Sequence, residues 1–417
     1  MDKLIIEGGI ALNGIVKAGG AKNSVLPLMA ATILAEGSHQ FSNVPHLRDV
    51  ITMQRLLTHL GVASELTNNN LHLTSNGLQS HDAPYDLVKT MRASVLVLGP
   101  LLARWGKARV SLPGGCAIGA RPIDLHLDAL KKMGAQIEIK EGYVEATASK
   151  LKGAEIQFNI VTVTGTENIM MAAALAEGTT ILKNAAREPE VVDLAHYLIK
   201  MGAEIEGAGT GTIVIRGMQN LKPAAHTVIA DRIEAATFLI AGVITGGEVT
   251  VENCPPFLLE TLLQHLKKSG CKIKTDSESI TVSASERLKS IDIATSPFPG
   301  FVTDMQAQFM ALMSLARGTS RITETIFENR FQHALELKRL GADISVEGHT
   351  AIVKGVEKLS GAPLMATDLR ASASLILAGL AAEGTTIVDR AYHIDRGYEK
   401  IEEKLTLLGA KISRTNQ

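Results

Sequence analysis

The sequence predicts an α/β protein with two lobes, built from six repeated helix and strand units, three to a lobe. Three observations predict it. A glycine that ends an apolar helix recurs at Gly37, Gly106, Gly178, Gly246, Gly318 and Gly384, with gaps of 69, 72, 68, 72 and 66 residues. A second helical stretch ending in glycine follows each one: LLTHLG, ALKKMG, YLIKMG, HLKKSG, LKRLG and LTLLG. Alternating runs such as AQIEIKEGYVEA (135–146) and CKIKTDSESITVSA (271–284) then read as strands, because a period of two places every other side chain on one face.

Each unit opens with a helix that is apolar nearly all round. SASLILAGLAA (372–382) carries no charge, and such a helix is buried. Its closing glycine enters the left-handed region that other residues avoid, which ends the helix. A short strand follows, then a second helix carrying Lys, Glu and His, hence amphipathic, then two more strands. A period near 70 exceeds that of ordinary solenoids. Six such units suggest two three-unit lobes, each with its helices wrapped by sheets. The boundary is expected near residues 217–230 (GMQNLKPAAHTVIA), which contain Pro and lack helical period.

Composition agrees. The chain has 417 residues, 46% hydrophobic and 20% charged, too long for one core and too apolar for disorder. Net charge is −1, so no bulk field draws it to nucleic acid or membrane, and an anionic ligand needs a local cluster of Arg and Lys. Three cysteines without C-x-x-C spacing argue against a disulfide framework or zinc site and favour a reducing compartment. No apolar run reaches membrane-spanning length and the N-terminus lacks a signal-peptide core, so a cytoplasmic protein is expected.

Aligned on the marker glycines, polar exceptions coincide. Lys22 lies 15 residues before its glycine, and Arg92, Asp304 and Arg370 each lie 14 before theirs, all at helix starts. A helix start offers free N–H groups and the positive dipole end, which suits an anion. Asp231, Asp304 and Asp368 all sit where a capping acid belongs, and TDMQ (303–306) also fits a capping box, so capping alone accounts for any of them. Arg and Lys there are repelled by the dipole, and a ligand explains them better. A second ring lies 12 residues after the markers: Asp49, Glu190, Arg330 and Arg396. Solvated surface charge is the alternative for each. The charge-dense NAAREPEVVDLAH (184–196) is expected to be half ordinary surface.

Copy two departs from the rest. Marker and closing glycines are 23 to 25 residues apart in five copies and 28 apart here, the surplus lying in PGGCAIGAR. The fold does not require these residues. Gly114, Gly115 and Gly119 make this a permissive loop, and Arg121 beside Cys116 favours the thiolate, the reactive form. Cys254 and Cys271 read as small buried hydrophobes.

At these residues the chain resembles the UDP-N-acetylglucosamine 1-carboxyvinyltransferase family, the enolpyruvyl transferases of bacterial cell-wall synthesis. The likeness spans the whole chain and rests on AGGAKNSVLPL (18–28), TMRAS (90–94), LPGGCAIGARPIDLH (112–126), TDMQAQF (303–309), ENRF (328–331), ATDLRASASL (366–375) and HIDRGYEKIEEKL (393–405). It implies a two-lobed inside-out α/β barrel, with residues 22–229 in one lobe, residues 1–21 and 230–417 in the other, and substrates bound in the cleft between them. It implies transfer of the enolpyruvyl group of phosphoenolpyruvate to the 3′-hydroxyl of UDP-N-acetylglucosamine through a tetrahedral intermediate, without metal, cofactor or obligate protein partner.

By motif, Cys116 resembles the acid that protonates the methylene carbon, a thiol that an epoxide phosphonate such as fosfomycin would alkylate. Asp304 resembles the group taking the sugar hydroxyl proton. Lys22, Asn23, Arg121, Arg330, Arg370 and Arg396 match the phosphoenolpyruvate contacts. Arg92, Arg121, Pro122, Ile123, Asp124, Leu125, Val161, Thr162, Val163, Asp304 and Ile326 match the UDP-N-acetylglucosamine contacts. The sequence departs at Ile160, where members often have Lys. Two other readings stand beside this one: a transferase for another acceptor such as shikimate 3-phosphate, and a non-catalytic repeat protein that binds nucleotide sugars.

Overall fold

The computed structural model describes residues 2–112 and 123–416. They form two compact units. A terminal unit holds both chain ends, residues 2–19 and 230–416, and a middle unit holds residues 20–112 and 123–229.

Six inner helices fill the two cores. Lys22–Ala31, Leu98–Trp105 and Val163–Ala173 pack together in the middle unit. Arg232–Ile244, Gln306–Met313 and Leu369–Ala381 do so in the terminal unit. Every residue of Arg232–Ile244 is buried, as its lack of a polar face requires. The second helix of each copy is amphipathic: Arg48–Leu60 buries Val50, Met53, Leu56, Leu57 and Leu60, at helical spacing. All twelve marker and closing glycines have positive φ, between 72° and 116°, so the repeat rests on a backbone conformation that a side chain would strain.

Among the described residues six four-stranded sheets cover these cores, one per copy. Strands alternate, as Glu248–Glu252 does by burying Val249 and Val251 and exposing its two glutamates. The expected helix–strand–helix–strand–strand order holds, with two additions. Each copy lends a short parallel strand to the sheet of the next: Asp82–Ala83 pairs with Lys107–Ser111, Glu155–Gln157 with Thr179–Lys183, and Ala225–Thr227 returns to Gly37–Ser42, closing the cycle of three. Most of these strands have two or three residues, too few to show a period. The sixth copy is also split. Asp2–Glu7 lies antiparallel between Thr385–Asp389 and Lys411–Asn416, so the start of the chain supplies a strand to its last repeat. Among the described residues no helix is long and apolar enough to cross a membrane.

Candidate active site

In the terminal unit the two polar rings meet. Asp304 lies in the turn Thr303–Met305 that leads into Gln306–Met313. Its Oδ1 accepts a hydrogen bond from Arg330 Nη2 at 2.9 Å, and its Oδ2 one from Arg370 Nη2 at 2.7 Å. The Arg330 and Arg370 side chains are 4% and 7% exposed and the Asp304 side chain 26%, so the carboxylate is the accessible edge of two buried cations. The triad carries one net positive charge. Burial opposes the charge on Arg370, but Asp304 more than offsets it and holds the pKa above its ordinary value. Arg370 also sits 5.9 Å from the ring centre of Tyr398. A solvated-surface reading of Arg330 therefore fails.

Capping separates the three acids. Asp231 caps its helix, accepting from Ile233 N and Glu234 N at 2.9 and 3.0 Å. Asp368 likewise accepts from Arg370 N and Ala371 N at 2.8 and 3.1 Å. Asp304 is not the N-cap of either element: those are Val302 and Met305, and neither makes a side-chain cap bond. Thr303 Oγ1 instead donates to Glu324 Oε2 at 2.8 Å. Glu324 is a buried carboxylate whose Oε1 also accepts from Thr295 Oγ1, Ile326 N and Phe327 N. It ties the Asp304 turn to the loop bearing Ile326, an exposed apolar side chain. Arg396 ends the turn Ala391–Arg396, which Arg414 anchors through Asp395 at 3.0 and 2.7 Å and through Glu402 at 2.8 and 3.2 Å.

In the middle unit Lys22 opens its helix, and its Nζ lies 3.4 Å from Asp49 Oδ2, again joining first ring to second. Asn23 lies beside it, half-buried. The next residue, Ser24, donates to Asp193 Oδ2. The other Asp193 oxygen is 2.8 Å from His226 Nε2, and Lys200 Nζ is 3.2 Å from His226 Nδ1. The lysine can only donate, so the ring proton sits on Nε2, toward Asp193. This network fixes the helix start that presents Lys22 and Asn23. Residues 184–196 are less exposed than expected: Glu188, Glu190 and Asp193 are buried, and Arg187 is exposed. Burial, then the charges of Glu190 and Glu188, push the Glu167 carboxyl well above its usual range.

Arg92 opens the turn Arg92–Val97, Asp124 and Leu125 open Asp124–Lys132, and Val163 opens Val163–Ala173. Val161 and Thr162 precede that helix, and the Thr162 hydroxyl caps it, accepting from Gly165 N at 3.2 Å. Ile123 is half-buried, and Ile160 is exposed. A concavity of about 270 Å³ beside Leu125 is also lined by Asp128, Lys131, Lys132, Phe158 and Asn159. Gly114, Gly115, Cys116, Gly119, Arg121 and Pro122 lie outside the described residues. Cys254 and Cys271 are buried, and burial first of all pushes their thiols up to about 12 and about 11, which makes them inert near neutral pH.

Sequence reasoning passed over Glu324, Asp193, Asn168, Gln308 and Tyr398. A usable signal existed for two: Asn168 and Gln308 are carboxamides in the mainly apolar first helices of their copies, where a buried polar group must find partners.

The profile of the family described as EPSP synthase (3-phosphoshikimate 1-carboxyvinyltransferase) matches residues 6–405. A UDP-N-acetylglucosamine 1-carboxyvinyltransferase of Myxococcus xanthus (strain DK1622) is 58% identical over 417 residues, covering 99% of both chains. One from Geotalea daltonii (strain DSM 22248 / JCM 15807 / FRC-32) is 59% identical over 417 residues and covers 100% of both. Among solved structures, the enolpyruvyl transferase NikO from Streptomyces tendae superimposes with a TM-score of 0.89 at 27% identity, covering 100% of this chain and 99% of that one. An EPSP synthase from Acinetobacter baumannii, at 21% identity, TM-score 0.77 and full coverage of both chains, shares the fold. With the six-copy architecture and these polar rings, the full-length identity shows that the chain belongs to the EPSP synthase family and, within it, to the UDP-N-acetylglucosamine 1-carboxyvinyltransferases.

Proposed function

We infer that the protein transfers the enolpyruvyl group of phosphoenolpyruvate to the 3′-hydroxyl of UDP-N-acetylglucosamine, releasing phosphate, in peptidoglycan synthesis. The observation that carries this is the full-length identity of 58–59% to transferases of that name. The site chemistry is consistent with it. In the first step the sugar oxygen bonds to C2 of phosphoenolpyruvate while its proton leaves and C3 gains one, becoming a methyl group. In the second, the bond from C2 to the phosphate oxygen breaks, C3 loses a proton, and the double bond returns.

In this reading Asp304 takes the hydroxyl proton and Cys116 protonates C3. A thiol is a plausible donor near neutral pH. Lys22, Asn23, Arg121, Arg330, Arg370 and Arg396 hold the carboxylate and phosphate, whose charge grows as the intermediate forms, and fixed cations stabilise it without reorganising. Arg92, Arg121, Pro122, Ile123, Asp124, Leu125, Val161, Thr162, Val163, Asp304 and Ile326 receive the nucleotide sugar. Ile160 offers the diphosphate no cation. We place the enzyme in the cytoplasm, in keeping with the unpaired Cys254 and Cys271. The nucleotide sugar recovered after incubation with phosphoenolpyruvate should carry one added carboxyvinyl group by mass spectrometry. Recovery of unmodified sugar with fully folded enzyme contradicts the reading.

A further inference from the structure

We propose that Asn168 and His126 are positioning residues for the nucleotide sugar, a buried hydrogen-bonded knot that holds in register the three segments bearing Arg92, Asp124 with Leu125, and Val161 to Val163. The proposal rests on the assignment of those segments to UDP-N-acetylglucosamine made above.

Asn168 lies on the inner helix Val163–Ala173 and is fully buried. Its Oδ1 accepts from Gly99 N at 2.7 Å, at the start of Leu98–Trp105. Its Nδ2 donates to Val95 O at 3.1 Å, in the turn that Arg92 opens. The same Nδ2 lies 3.0 Å from His126 Nδ1, one residue beyond Leu125. His126 Nε2 in turn lies 3.3 Å from Thr164 Oγ1, at the start of the Asn168 helix.

These partners allow one assignment. Flipping the amide would set its oxygen against the Val95 carbonyl and its NH₂ against the Gly99 N–H. The NH₂ group therefore faces His126, whose Nδ1 must be the acceptor, so the ring proton lies on Nε2 and points at Thr164. The ring is neutral, and burial pulls its pKa down to about 4. Both donors and the acceptor of Asn168 are thus used, each on a different part of the backbone or on the ring, and each of the three segments is reached by a bond of its own. The interface is shaped for this contact: a Cβ at Gly99 would come within 2.3 Å of Asn168 Oδ1.

The repeat adds an independent argument. Asn168 stands ten residues before its marker glycine, Gly178, and Gln308 stands ten before Gly318. In the terminal unit Gln308 Nε2 donates to Asp304 O at 3.0 Å and lies 3.3 Å from Thr237 Oγ1 and 3.4 Å from Tyr398 Oη. The equivalent position thus carries a buried carboxamide in both units, each bonded to the backbone of a segment assigned to substrate.

The test is steady-state kinetics of the full-length enzyme with both substrates varied. His126→Leu should raise KM for UDP-N-acetylglucosamine about tenfold, with kcat and KM for phosphoenolpyruvate changed less than about threefold. His126→Asn, whose Oδ1 can replace Nδ1 as acceptor, should restore most of the loss. Thr164→Val removes only the outer anchor and should raise the same KM about twofold, so it decides the matter if His126→Leu does not fold. An unchanged KM for UDP-N-acetylglucosamine in Thr164→Val and His126→Leu, or equal loss on both substrates, overturns the proposal. Arg92→Ala separates the premise from the proposal. If it binds UDP-N-acetylglucosamine as tightly as the parent, the nucleotide assignment falls and the proposal with it. If it binds weakly while the knot variants do not, only the proposal falls.

Discussion

Asp304 accepts from the Nη2 atoms of both Arg330 and Arg370, so its removal has two separable effects. Asp304→Ala should lower turnover by about 10²- to 10⁴-fold, the range for a lost proton-transfer group. It should also lower stability by about 3 kcal/mol, because two buried guanidiniums lose their counter-charge. Asp304→Asn keeps one acceptor oxygen and should match the first effect with a smaller second. Phosphate release and urea unfolding read the two separately; unchanged turnover in either variant contradicts the assigned role. Cys116→Ser should likewise lose turnover while UDP-N-acetylglucosamine binding, read by calorimetry, persists. At this scale the sequence was legible only in part. The spacing that placed Asp231, Asp304 and Asp368 at helix starts serves capping and chemistry alike, and only the hydrogen bonds divide them. Two partners of Glu324, Thr295 and Thr303, lie 29 and 21 residues away in the chain, and no local pattern encodes them.

Gly99 of Leu98–Trp105 packs directly against Asn168 and Ala172 of Val163–Ala173. Its replacement by Ala would set a Cβ 2.3 Å from Asn168 Oδ1 and 2.4 Å from Asn168 O. The first cannot retreat without breaking the knot and the second is helix backbone, so Gly99→Ala should cost about 1–3 kcal/mol of unfolding free energy. Gly178→Ala meets open space at a φ of 86°, so backbone strain alone should make it milder, at about 1 kcal/mol. Urea midpoints compare the two, and a smaller shift for Gly99→Ala contradicts the packing argument. The helices and their glycines were readable because each repeats a local cause, an apolar stretch and a left-handed stop. The lent strands were not readable, since two or three residues carry no period and their pairing is set by the neighbouring copy.

Two histidines give the whole molecule an acid limit. Burial lowers His126 to about 4, and burial, opposed by the Asp368 charge and aided by that of Arg330, lowers His333 to about 4. Both are depressed below the ordinary value of 6.5, so the unfolded chain takes up protons that the folded chain refuses. Their contribution is therefore full above about pH 6.5 and falls as pH drops toward about 4, by up to roughly 1.4 kcal/mol per pH unit for each histidine, while the raised Glu167 carboxyl, which takes up a proton more readily in the fold than out of it, contributes with the opposite sign. Urea midpoints at about pH 7 and about pH 5 test this by comparison: between those pH values the parent should lose stability relative to His126→Asn, and an identical change in the two contradicts it. At this scale the count of six units was legible because the marker glycines recur. The division of the sixth was not, since a strand at residues 2–7 pairs with one near residue 411 only once the chain has closed.

The central claim is the transfer itself, and phosphate release from phosphoenolpyruvate tests it most directly when UDP-N-acetylglucosamine and shikimate 3-phosphate are offered separately. The account predicts release with UDP-N-acetylglucosamine and none with shikimate 3-phosphate. Equal release with both, or none with UDP-N-acetylglucosamine, contradicts it.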